Sequence, residues 1–142
     1  MIGKAGGDDV KKLSKMAVLG VFVLFLLVSC KPSDKYAGDW YAVGADGKQV
    51  EINFSKEKVM TFKDADGHEE EYEINQTATG IQNSTRYFRV EVEGASHYVI
   101  FENNKDEDNA QLVRQTNQAS DFEDVVGDII YLMNRDDFPE VE

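Results

Sequence analysis

Cysteine is nearly absent from this sequence: Cys30 is the only one in 142 residues. A single thiol cannot form a disulfide within the chain. Long apolar runs are lacking as well, because the longest, residues 16–28, has 13 residues, whereas a membrane-spanning helix needs roughly 20. We therefore expect neither an internal disulfide nor a permanent transmembrane helix.

Basic residues are the second shortage. Residues 1–29 hold four Lys and two Asp of the chain's 15 basic and 27 acidic residues, so the part from Cys30 onward has 11 basic and 25 acidic residues and a net charge of −14. Such a surface repels phosphate groups, so nucleic acid is excluded as a partner. It is also expected to stand off from anionic lipid headgroups.

Motifs for catalysis and metal binding are missing too. The sequence has no serine or cysteine nucleophile motif and no glycine-rich phosphate loop. His68 and His97 stand apart, and residues 64–67 (DADG) do not fit an EF-hand, which needs Gly at position 6 and Glu at position 12. We interpret residues 64–67 as a hairpin turn and both histidines as surface residues. No enzymatic activity, cofactor or metal is expected.

An export signal occupies the beginning of the chain. Lysines at positions 11, 12 and 15 precede the apolar residues 16–28, the order of regions found in a secretory signal peptide. Residues 27–30 (LVSC) resemble the lipobox of bacterial lipoproteins. This resemblance implies cleavage between Ser29 and Cys30, and a diacylglycerol group on the sulfur of Cys30.

The export signal divides the chain into three parts. Residues 1–29 are the predicted lipoprotein signal peptide, residues 30–35 a lipidated tether, and residues 36–142 a single domain held outside the cell by its lipid. Lys31 is compatible with the membrane surface of a Gram-positive cell, which we favour, or with an outer membrane. Residues 1–9 are unusual ahead of a signal peptide, and Val10 is a better candidate for the start of translation.

Apolar and polar residues alternate with a period of two after the tether. The clearest case is Phe88, Val90 and Val92, which alternate with charged residues. Candidate strands lie at residues 40–43, 50–54, 58–63, 69–74, 77–81, 86–93, 98–101 and 110–115. Turn residues separate them at the short, regular spacing of an antiparallel sandwich or barrel. We predict an all-β fold, a small eight-stranded antiparallel meander barrel.

A different pattern follows at the end of the chain. Ser120 and Glu123 fit a helical capping box. Apolar residues then recur at helical spacing, at Phe122, Val125, Val126, Ile129, Ile130 and Met133. This pattern predicts one C-terminal α-helix that ends near Asn134 and packs on the outside of the barrel.

Strands followed by one helix resemble the lipocalin-like (calycin) barrels. Gly38-Asp39-Trp40 is similar to the G-x-W motif at the start of the first strand in that family. Arg114, on the predicted last strand, matches the arginine that the family packs over this tryptophan. The resemblance implies that Gly38, Trp40 and Arg114 close one end of the barrel.

Two functions follow from this fold. The interior of an eight-stranded barrel is either filled by side chains or holds one small ligand. The resemblance implies a small apolar ligand at the open end, lined by Phe54, Phe62, Tyr72, Phe88 and Tyr98. The alternative is a filled core, with the acidic surface or loops binding another protein as an inhibitor, immunity factor or adhesion accessory.

Overall fold

The computed structural model describes residues 32–140. The predicted signal peptide, with Ser29, and the predicted lipidation site Cys30 lie outside these residues. The described chain forms an eight-stranded closed barrel in which every strand pairs antiparallel with its neighbours in sequence. The strands are β1 (Gly38–Gly44), β2 (Gln49–Ser55), β3 (Val59–Asp64), β4 (Glu69–Gln82), β5 (Thr85–Val92), β6 (Ala95–Phe101), β7 (Asn109–Gln115) and β8 (Gly127–Asn134). The predicted all-β meander barrel is confirmed.

Side-chain alternation gives each strand an inner and an outer face. Trp40 lies opposite Ile52, and Phe54 lies opposite Met60. All four side chains are almost completely buried, because residues directly opposite each other point to the same side of a sheet. The β3–β4 turn uses Gly67 at φ +85°, where a residue with a Cβ would be strained.

The predicted C-terminal α-helix is wrong. Within residues 32–140 the segment holds only a short 3-10 turn, Phe122–Asp124, followed by strand β8. The register with β7 shifts next to Ile130, so that Ile130 and Tyr131 both pack against the core. This irregularity interrupts the period of two along β8, while Phe122, Val125 and Val126 of the predicted helical pattern precede the strand.

The predicted strands 69–74 and 77–81 are a single strand, β4. A register shift between Gln76 and Ala78 interrupts its pairing with β5, as a β-bulge does. The seven remaining strands would leave the edges of β1 and β7 unpaired, and exposed edges are a liability for a sheet. Strand β8 supplies the missing partner for both.

One end of the barrel is filled by aromatic side chains. We call it the closed end; it is where β1 begins. Tyr36 is fully buried and its ring lies 5.2 Å from that of Phe54 and 5.1 Å from that of Phe88. Phe101 lies 6.0 Å from Trp40 and 6.1 Å from Phe88. The opposite end, where β1 ends, is the open end.

Helices contribute little to the described domain. None of the helical segments in residues 32–140 has the length and apolar character needed to span a bilayer.

Candidate functional site

The closed end is built around Trp40, as the G-x-W motif predicts. The indole is 1% exposed, and its Nε1 donates to the carbonyl oxygen of Tyr36 at 2.8 Å. The guanidinium carbon of Arg135 lies 3.9 Å from the ring centroid. Gly38 has φ +100°, and a Cβ there would lie 3.3 Å from the same guanidinium. Arginine over tryptophan is therefore present, with a different arginine from the predicted one.

Arg114 lies elsewhere. Its side chain is 55% exposed and pairs with Asp128 at 3.3 Å, on the part of β7 that leads to the open end. The prediction failed because β7 was interpreted as the last strand. Arg135 follows the true last strand, β8, and therefore reaches the closed end.

Arg135 also forms hydrogen bonds with the backbone at and before the start of β1. It donates from one terminal nitrogen to the carbonyl oxygen of Asp39 at 2.9 Å and from the other to that of Lys35 at 3.1 Å. The Ser33 amide and the Tyr36 hydroxyl both donate to Oε1 of Gln76, at 2.9 and 3.0 Å. The chain thus enters the domain at the closed end.

The open end contains a cavity of about 400 Å³. Its walls are mainly apolar and aromatic, which is the usual character of a small-molecule site. The apolar and aromatic lining residues are Val50, Met60, Phe62, Tyr72, Val92, Leu112, Ile130 and Tyr131. The interior is therefore filled at one end and hollow at the other.

Acidic residues stand at the mouth of this cavity. Asp64 and Glu70 both line it, and none of the described residues that line it is Lys or Arg. The Tyr72 hydroxyl donates to Oε1 of Glu70 at 2.8 Å, and mainly this hydrogen bond raises the pKa of Tyr72. Burial, followed by the charges of Asp46 and Glu70, raises the pKa of Tyr131. The mouth therefore has a negative potential beside aromatic rings.

Both histidines of the chain, His68 and His97, line the same cavity. His97 is 9% exposed, and its Nδ1 lies 3.0 Å from the carbonyl oxygen of Ala95. A carbonyl only accepts, so Nδ1 carries the proton and Nε2 is the ring nitrogen left for a ligand. His68 is exposed, and its Nε2 lies 3.8 Å from a Glu70 oxygen. The expectation that His97 lies on the surface is wrong.

The five residues predicted to line a ligand site occupy three environments. Phe62 and Tyr72 line the cavity. Phe54 and Phe88 belong to the packed core toward the closed end. Tyr98 is buried but lies on the outer face, with its ring centroid 5.6 Å from that of Phe122.

Sequence reasoning missed four polar residues of the cavity, Asp64, His68, Glu70 and His97. Alternation along β4 places Glu70 on the face of Tyr72, and alternation along β3 places Asp64 on the face of Phe62; that signal was available. His97 was harder to find, because β6 is apolar on both faces and its outer face is covered by the β7–β8 loop.

Residues 64–67 form the predicted hairpin turn. The Gly67 amide donates to the carbonyl oxygen of Asp64, while Oδ1 of Asp64 accepts from the amides of Asp66 and His68, each at 3.0 Å. These bonds use the carboxylate of Asp64 to brace the turn. Within residues 32–140, no three His, Cys, Asp or Glu side chains are grouped to hold a metal ion.

The chain was compared with known protein families, curated proteins and solved structures. No protein-family model, curated protein or solved structure matches the chain significantly.

Proposed function

We propose that this chain is an extracytoplasmic bacterial lipoprotein whose lipocalin-like barrel binds a small apolar ligand at its open end. The observation that carries the binding function is the cavity of about 400 Å³ with apolar walls. Small-molecule sites have volumes of about 300–1,000 Å³, so the cavity is large enough for one such ligand.

The lipocalin-like part of the proposal is supported by the closed end. The resemblance implies a tryptophan in a G-x-W motif covered by an arginine of the last strand; here Arg135, directly after β8, covers the buried Trp40. The lipoprotein part is supported by the sequence of residues 11–30 alone: the lysines, the apolar run and the lipobox-like LVSC. Lys31, directly after the cysteine, is compatible with a Gram-positive cell surface, which we favour, or with an outer membrane.

Chain entry at the closed end fits this arrangement. Pro32 and Ser33 begin the described domain. The Ser33 amide donates a hydrogen bond to Gln76, which also accepts one from the Tyr36 hydroxyl. An anchor upstream of Pro32 would therefore be joined to the domain at its closed end. The cavity would then be at the end remote from the point of attachment, accessible to solutes.

Native mass spectrometry of the protein extracted from its own cells tests the proposed function. We expect a noncovalent adduct in the native spectrum that disappears under denaturing conditions, where a covalent lipid is retained. Val92→Phe, which adds volume inside the cavity, should abolish the adduct. Ile81→Phe, at an outer position that is 51% exposed, should retain it. A bare native mass, or an adduct indifferent to Val92→Phe, would contradict ligand binding.

A protein-binding function has one observation in its favour. Val126 and Ile129 on and beside β8 are 59% and 48% exposed, next to an outer groove lined by Phe122 and Val125. Exposed apolar patches mark interaction surfaces. If Val126→Ser with Ile129→Ser abolishes capture of a partner from the cell envelope while Val92→Phe does not, the interaction function is favoured instead.

A further inference from the structure

We propose that the ligand of the open-end cavity is an organic cation: an ammonium group carrying a small apolar or aromatic substituent. This inference rests on the proposed function, because it names the class of molecule bound in the same cavity.

Three aromatic rings in the cavity form a continuous group. The Phe62 ring centroid lies 5.7 Å from that of Tyr72, at an interplanar angle of 72°, and 5.5 Å from that of Tyr131, at 34°. The three rings therefore present both faces and edges to the cavity. Aromatic faces attract cations, and sets of rings bind quaternary ammonium groups in particular.

The charges that line the cavity also favour a cationic ligand. Glu70 and Asp64 line the mouth, Asp46 is close enough to raise the Tyr131 pKa, and none of the described lining residues is Lys or Arg. An anionic ligand such as a fatty acid would place a carboxylate against these groups and would be repelled. A cation would be attracted to the mouth and would partly neutralise it.

The hydrogen bond between Tyr72 and Glu70 joins the two features. The phenol donates to Oε1 at 2.8 Å, which fixes the carboxylate beside the rings and leaves Oε2 for a second partner. A phenol that donates to a carboxylate becomes more electron-rich, which favours cation binding at its face. His68, at 3.8 Å from Oε2, is exposed and can be displaced from that oxygen.

A pair of probes with the same shape and different charge tests the proposal. The cation is (3-hydroxyphenyl)trimethylammonium, and the neutral isostere is 3-tert-butylphenol. Binding is measured by equilibrium dialysis against the mature lipidated protein in lipid nanodiscs, with empty nanodiscs subtracted. We expect the cation to bind about tenfold more tightly than the isostere.

Matched variants separate the rings from the carboxylate. Tyr131→Leu should weaken the cation several-fold and change the isostere by less than about twofold, because Leu retains apolar volume without a π face. Glu70→Gln should also weaken only the cation, while it keeps an acceptor for Tyr72. Glu71→Gln, one residue away on the exposed outer face, should affect neither probe.

The outcomes distinguish the two proposals. If the isostere binds as tightly as the cation and Tyr131→Leu weakens both equally, the cation inference is overturned and ligand binding stands. If neither probe binds more tightly to the wild type than to Val92→Phe, both proposals are overturned.

Discussion

At the scale of single residues, two side chains hold the closed end together. Arg135 covers the Trp40 ring and donates hydrogen bonds to the backbone carbonyl oxygens of Lys35 and Asp39. Tyr36 fills the space beneath and bonds to Gln76. The motif around Trp40 made the closed end predictable, whereas the identity of its arginine depended on finding the last strand.

Arg135→Ala should lower the free energy of unfolding by about 2–4 kcal/mol, because it removes a cation–π contact and two charge-assisted hydrogen bonds. Urea denaturation followed by the fluorescence of Trp40, the only tryptophan, measures this loss. Arg114→Ala is the control and should cost less than about 1 kcal/mol, since its ion pair is exposed. Equal effects of the two substitutions would contradict the assignment.

Tyr36 should make the domain sensitive to alkali. Burial raises the pKa of Tyr36 well above its usual value, whereas the unfolded chain releases this proton near pH 10. Its contribution is therefore complete below about pH 10 and is lost progressively as the pH rises above that value.

Tyr36→Phe should flatten the decline of unfolding free energy above about pH 10, at a cost of about 1 kcal/mol at neutral pH for the lost hydrogen bond. The measurement is urea denaturation at several pH values. Part of the slope should persist, because the pKa values of Tyr72, Tyr98 and Tyr131 are also raised. An identical slope in the variant and the wild type would show that Tyr36 is not the cause.

At the scale of elements, regular alternation was predictable and its interruptions were not. Phe88 and Val90 on β5 point inward, as their alternation with charged residues predicts. Ile130 and Tyr131 both pack against the core because the register shifts beside them, so β8 lacks the regular alternation that identifies a strand. The interruption near Gln76 split β4 into two predicted strands. Bulges depend on the pairing partner, which a local pattern does not specify.

Gly127→Ala distinguishes a strand from a helix at this place. In β8 the added Cβ would lie 2.5 Å from the carbonyl oxygen of Arg114, so we expect a loss of about 1–3 kcal/mol from overpacking. In a helix the same change would stabilise by about 1 kcal/mol. Chemical denaturation gives the sign, and Asp128→Ala, at an exposed neighbouring site, should change stability by less than about 1 kcal/mol. A stabilised Gly127→Ala variant would refute the strand.

At the scale of the whole molecule, the barrel has two different ends. The described chain begins at the closed end with Pro32 and Ser33. The open end has the cavity, with Asp64 and Glu70 at its mouth. The barrel and its apolar interior were predictable from strand patterns and the G-x-W motif. Whether the interior is filled or hollow was not predictable, because the space left between side chains depends on how eight strands curve around them rather than on any one strand.

Cys30→Ala tests the predicted anchor. We expect an unprocessed precursor without lipid, because alanine offers no sulfur to accept the diacylglycerol group. Intact mass and membrane fractionation of cells expressing the full chain measure this. Ser29→Ala keeps a small residue at the cleavage position and should be processed normally. Normal maturation of Cys30→Ala would remove the lipoprotein proposal and leave the barrel unaffected.

The seam of the barrel joins the two ends of the domain's sequence. Tyr41 on β1 lies opposite Asn134 on β8. The edge of β1 that does not pair with β2 therefore stays unpaired until the last strand has formed. Contacts this distant along a chain form slowly. A nascent polypeptide lacks its final strand and cannot complete the barrel. The topology therefore delays closure of the barrel until synthesis is nearly finished. If the chain is exported as we propose, this delay would keep it unfolded for passage through a secretion channel.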